Sequence, residues 1–240
     1  TCKLPISKTN MMKTLLINGC SFGECWTPSK EFVTSLACDQ SINLSKAGTS
    51  FQRTCRSTIE WIAQNGAPAM VLIPITFSHR WELALNRDED KIDGGWVPLQ
   101  NLSYLADRYN LQDVSIESVK KLVDDYYKII PTIKTYWDKM FTDIIMMSGF
   151  LDQQKVPYLM WDMCNGFDKS HIKGYQGFHK IELISKNKRI IDIWKFCGNR
   201  FMRDTMPAQL RDKTPEFAFH HEPQQYKELE KYILSYLKSK

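Results

Sequence analysis

Apolar positions along the chain fall into two alternating rhythms. Residues 13–18 (KTLLIN) form a short unbroken apolar run closed by Gly19, the pattern of a parallel strand buried on both faces that empties into a loop. Residues 70–76 (MVLIPIT) repeat it, residues 156–160 (VPYLM) give a third strand, and residues 41–44 a briefer one. Between them the spacing turns helical: residues 28–37, then 50–64, where Phe51, Cys55, Ile59 and Ile62 share a stripe and Gly66 and Pro68 close the helix. Helical periodicity resumes at Ser115, is interrupted near Pro131 and runs to about Gln154, with Tyr136, Met140, Ile144 and Met147 on one buried stripe. Residues 180–196 contain another helix, and 224–237 read as the last, with Leu229, Ile233 and Leu237 on one face. Strands alternating with helices predict an α/β fold, a three-layer α/β/α sandwich around a central parallel sheet.

The stretch 77–112 breaks the pattern. It carries Arg, Trp, Gly-Gly and Pro without a sustained period and reads as a long loop with short helices, a kind of segment that is uncommon and often functional. The expected organisation is one domain over residues 1–240, with an insertion at about 77–114 after the third strand and a polar, unpatterned tail in the first ten residues.

Composition narrows the classes. A chain of 240 residues, 43% hydrophobic and 25% charged, is long enough for one substantial core and too apolar for disorder. Its 12% aromatic content, seven Trp included, suits a dense core or an aromatic-lined groove. The net charge of +5 is modest and spread along the chain, so no nucleic-acid partner is expected. The Cys residues at 2, 20, 25, 38, 55, 164 and 197 are odd in number and lack CxxC spacing, which points to reduced thiols in a cytosolic setting and to neither a disulfide framework nor a metal site. Apolar runs such as 71–75 and 144–147 fall far short of the roughly 20 residues of a membrane span, and no signal-peptide core stands at the start. A soluble cytoplasmic protein without a membrane partner is the expectation. Its oligomeric state stays open.

Candidate chemistry gathers where an open α/β sheet builds its active sites, in the loops at the carboxyl ends of strands. Four polar stretches fall at such places or just before the final helix: residues 18–23 (NGCSFG), 43–50 (NLSKAGTS), 76–80 (TFSHR) and 220–223 (HHEP). A serine hydroxyl becomes nucleophilic only when a base within hydrogen-bond reach takes its proton, so Ser21 needs a His delivered from elsewhere in the fold. The first loop has only Gly19 and Gly23 and lacks both the P-loop and the dinucleotide fingerprint, which argues against a nucleotide binder and against a cofactor.

Taken in order, these stretches resemble the SGNH (GDSL-like) hydrolases, and more closely phage and bacterial members in which Gly-Cys-Ser-Phe replaces Gly-Asp-Ser. Gly19-Cys20-Ser21-Phe22 looks like the nucleophile block and Asn43 through Gly48 to Ser50 like the glycine block. Residues 149–158 (GFLDQQKVPY) are similar to the helix-to-strand passage of those members, and His220-His221-Glu222-Pro223 to the histidine block.

The resemblance implies an esterase or deacetylase-like enzyme acting on a small acyl ester of a carbohydrate or other polar carrier. Ser21 would be the nucleophile and His220 the base, with His221 the alternative. The oxyanion would sit on the N–H groups of Ser21 and Gly48 and one side-chain donor from the third strand's loop, each worth roughly 3 kcal/mol of barrier lowering. Two positions depart from the family pattern. Thr76 stands where it has an Asn donor, and Phe217 where it has the Asp that orients the base, leaving Glu216 or a backbone carbonyl to support a triad or a Ser-His dyad. Arg80 and Glu82 resemble an Arg-x-Glu element after the third strand. Arg80, with His79 and Trp81, could hold a polar substrate, or Arg80 and Glu82 could pair and pin the loop. A glycan-binding protein without turnover and an acyltransferase are the alternatives. Cys20, Cys164, His171 and His179 read as structural or surface residues.

Overall fold

The computed structural model of the chain describes residues 12–76, 82–84, 96–98, 117–118, 121, 124–125, 132–162, 177–191 and 223–239. Its elements run β1 (Thr14–Ile17), α1 (Ser21–Glu24), α2 (Lys30–Ser35), β2 (Gln40–Asn43), α3 (Phe51–Asn65), β3 (Met70–Ile75), β4 (Glu82–Ala84) and β5 (Trp96–Pro98). They continue with α4 (Thr132–Gln153), β6 (Tyr158–Asp162), α5 (Phe178–Lys186), β7 (Ile190–Ile191) and α6 (Pro223–Lys238). Five strands form one parallel sheet in the order β2-β1-β3-β6-β7.

Side chains on alternate strand positions separate into two cores. Leu15, Ile17, Leu72, Leu159 and Trp161 pack with Phe32 and Val33 of α2 and with Leu229 and Ile233 of α6. Leu16, Val71, Ile73, Ile75 and Met160 pack on the opposite face with Ile62 of α3, the Met140–Phe141–Ile144–Met147–Leu151 stripe of α4, and Ile181 and Ile184 of α5. The period of two, which sends successive apolar residues of β1 and β3 to opposite faces, therefore produces a three-layer α/β/α sandwich, each buried Leu or Ile contributing about 1.5–3 kcal/mol. Among the described residues no helix is long and apolar enough to cross a membrane.

The strand order positions the site. From β1 the chain moves out to the edge strand β2, then returns past β1 to β3 and continues the other way. The turning point of the strand order thus lies between β1 and β3, and it is at the carboxyl ends of such strands that open α/β sheets bind ligands.

Three expectations are corrected. The helix expected within 180–196 is α5, which starts two residues earlier at Phe178 and stops at Lys186, so that the span also holds an unexpected strand. Asn187 turns the chain, its Oδ1 accepting from Arg189 N at 2.9 Å, and the β-branched pair Ile190–Ile191 then joins the sheet beside Met160 and Trp161. The strand expected from Val156 begins at Tyr158, because Lys155 (φ 56°) caps α4 in the left-handed conformation and Val156 N bonds back to Leu151 O at 2.9 Å. Within the stretch expected to be loop and short helix, β4 and β5 pair antiparallel, Leu83 opposite Val97. Strands of three residues leave too little alternation to detect.

Candidate active site

β1 ends on Asn18, fully buried, whose Nδ2 lies 3.0 Å from Thr54 O and 2.8 Å from both Ser57 Oγ and Thr58 Oγ1, fastening α3 to the end of the strand. Gly19 follows because nothing larger fits: a Cβ there would stand 2.6 Å from Pro74 Cγ and 3.0 Å from Pro74 O. Pro74 lies inside a central strand, yet its missing N–H breaks no ladder bond. It faces the same side as Leu72, whose carbonyl accepts from Asn18 N at 3.1 Å, and β1 has turned away by that level.

Cys20, buried in the core, then opens α1, its carbonyl accepting from Gly23 N at 2.9 Å and Glu24 N at 3.0 Å. Ser21 is the first residue of this turn and is 8% exposed. Among the described residues neither its hydroxyl nor its N–H has a hydrogen-bond partner.

The loop after β2 is stitched to this turn. Lys46 N donates to Gly19 O at 3.1 Å, and Asn43 Nδ2 donates to Gly23 O at 2.7 Å and Trp26 O at 3.0 Å while its Oδ1 accepts from Ser45 N at 2.9 Å. Ala47 N donates to the Glu24 carboxylate at 2.7 Å, and the buried Arg53 guanidinium to Leu44 O at 2.9 Å. Close approach is possible because residue 23 is glycine; a Cβ there would meet Ser45 Oγ at 2.2 Å. Gly48 adopts φ +76°, the left-handed region that favours glycine, and no described atom lies within 4 Å of where a Cβ would stand. Its N–H has no partner among the described residues.

Thr76, 1% exposed, follows β3 two residues beyond the Pro74 that packs on Gly19. Ser21, Gly48 and Thr76 thus stand on three successive loops at the carboxyl edge of the sheet, the first two joined by the hydrogen bonds above. His79, Arg80, Trp81, Glu216, His220 and His221 lie outside the described residues, as do Phe217, Cys164 and His171. His179 is exposed on α5. Glu82 is buried in β4, 3.5 Å from Arg56 of α3, which ties this part of the stretch after β3 to the helix.

The start of α6 packs against the Ser21 loop. The ring of Tyr226 stacks on Trp26, and Glu230, 6% exposed, accepts from Ser29 N at 2.8 Å, Ser29 Oγ at 2.6 Å and Trp26 Nε1 at 3.2 Å. Burial pushes the Tyr226 phenol well above its ordinary range, and the nearby thiols of Cys25 and Cys20 push the same way. At the far end of α6, the Tyr236 hydroxyl donates to Lys188 O ahead of β7. The helix therefore runs antiparallel to the strands, its first turn at the carboxyl edge. Glu24 and Glu230, which help hold these pieces together, carry no signal in sequence, because each acts through a partner that only the fold brings near; Asn43 is marked as the start of the glycine block, but its bonds to Gly23 and Trp26 are not.

No family model matches the chain, and no curated protein does. Solved structures similar to it include three that each share 13% identity over 95% of this chain. They are a protein assigned as an acylhydrolase from Bacteroides fragilis (88% of that chain, TM-score 0.46), the psychrotrophic esterase EstA from Pseudoalteromonas (97%, TM-score 0.47), and a GDSL-like lipase from Bacteroides thetaiotaomicron (89%, TM-score 0.44). Likeness at this level assigns no chemistry to the chain.

Proposed function

We propose that the chain is a serine hydrolase of the SGNH type that cleaves a small acyl ester from a carbohydrate or other polar carrier. One observation carries the reading. Among the described residues the hydroxyl and N–H of Ser21 have no hydrogen-bond partner, and the turn they stand on is joined, through Glu24 and Ala47, to a loop whose Gly48 N–H likewise has none. Two donors held in advance on separate, cross-tied loops are what a developing oxyanion requires.

In this reading Ser21 Oγ attacks the ester carbonyl while His220 accepts its proton. The N–H groups of Ser21 and Gly48, with the Thr76 hydroxyl, receive the negative charge. Collapse of the intermediate returns the proton to the departing alcohol, and water then releases the acyl group by the same route. His220 precedes Pro223 by three residues, a span of at most about 10 Å, and the helix that Pro223 opens packs its first turns on the Ser21 loop. His221 is the alternative base, and Glu216 or a backbone carbonyl its support. Arg80, His79 and Trp81 would bind the carrier.

Hydrolysis of a short-chain aryl ester tests the reading. Ser21→Ala should abolish turnover, and His220→Ala or His221→Ala should lower it by a factor of about 10³ or more. Wild-type rates in Ser21→Ala contradict it. An inert wild-type protein whose melting temperature rises with carbohydrate ligands would instead favour binding without turnover.

A further inference from the structure

We propose that Glu24 is a positioning residue that sets the separation of the Ser21 and Gly48 N–H groups; this rests on the reading of Ser21 as nucleophile. Glu24 closes the turn that Ser21 opens, and its carboxylate accepts from the N–H of Ala47, the residue before Gly48, at 2.7 Å. One side chain therefore joins the helical turn of one oxyanion donor to the peptide next to the other.

Other ties between the two loops act further back. Asn43 holds Gly23 O and Trp26 O from the end of β2, and Lys46 N reaches Gly19 O. Beyond Lys46 the Glu24 bond ties the Gly48 loop to the Ser21 turn, while the bond from Thr49 Oγ1 to Lys46 O stays within the loop. Gly48 has no side chain of its own, and no described atom stands within 4 Å of its Cβ position. A charge-assisted bond is stronger than a neutral one and suits this task. Glu24 itself lies at the surface, outside both cores, so its loss should leave the fold intact.

The test compares wild-type, Glu24→Ala, Glu24→Gln and Ser21→Ala proteins by steady-state hydrolysis of a short-chain aryl ester and by amide hydrogen exchange at Ala47. Glu24→Ala should lower kcat about tenfold with KM within about twofold, since misplacing a transition-state donor costs rate rather than ground-state binding. It should also speed exchange at Ala47. Glu24→Gln keeps an acceptor oxygen and should stay within about threefold of wild type on both measures. A wild-type kcat in Glu24→Ala, or a loss that Glu24→Gln fails to rescue, overturns the role of Glu24 while Ser21→Ala remains inactive. Equal turnover by wild-type and Ser21→Ala proteins overturns the nucleophile itself, and this proposal with it.

Discussion

Trp26 and Tyr226 lie ring on ring, their centroids 6.1 Å apart and their planes within 8° of parallel. Trp161 meets Trp26 edge-on at 6.0 Å from the strand below. This cluster is where the last helix is locked onto the loop that follows Ser21. Tyr226→Ala opens a cavity there and should destabilise the fold by about 3 kcal/mol, read as a shift in the urea midpoint.

Glu230 serves the same junction through hydrogen bonds. Its removal leaves the Ser29 N–H and the Trp26 indole N–H without their acceptor, at a cost of about 2–3 kcal/mol in Glu230→Ala. Glu230→Gln retains one acceptor oxygen and should lose roughly half as much. Equilibrium unfolding of the two variants distinguishes this from a surface carboxylate, whose replacement would change little.

Much of this architecture can be read from the sequence because it follows from runs that are apolar on both faces. β1 and β3 sit within a residue of where residues 13–18 and 70–76 predict them, and the α4 stripe of Met140, Ile144 and Met147 is buried as its spacing requires. The loops carrying Ser21, Gly48 and Thr76 follow from the strand ends. β7 is hidden because two isoleucines continue the spacing of the preceding helix, and only their pairing with Met160 and Trp161 makes them a strand. The ties from Asn43 and Glu24 are hidden for a different reason. A polar residue in a loop has many possible partners, and tertiary structure alone selects one.

Gly19 and Gly48 should respond differently to alanine. At Gly19 the added methyl meets the ring and carbonyl of Pro74, so Gly19→Ala should cost about 1–3 kcal/mol through strain between β3 and the Ser21 loop. At Gly48 the space is open among the described residues and the penalty is conformational, about 1–2 kcal/mol. Gly48→Asn should recover part of that loss, since Asn tolerates the left-handed region, whereas Gly19→Asn should not recover any. Melting temperatures of the four variants check the contrast.

Alkaline pH should weaken the fold. Burial holds the Tyr226 phenol and the Cys55 thiol well above their ordinary values of 10.0 and 9.0. In the unfolded chain both ionise near those values, so above about pH 9 the unfolded state binds fewer protons than the folded state and stability falls as pH rises. Below that pH both groups are protonated in both states and contribute nothing. Tyr226→Phe should make the decline above pH 10 shallower in thermal unfolding measured from pH 7 to pH 11.

Ser21 as the nucleophile is tested most directly by treating the protein with a fluorophosphonate and locating the adduct by peptide mass spectrometry. A single phosphonyl group on Ser21, absent from Ser21→Ala and much slower to form in a His220→Ala, His221→Ala double variant, is the expected result. Stoichiometric labelling at another residue, or labelling that proceeds unchanged in Ser21→Ala, would contradict it.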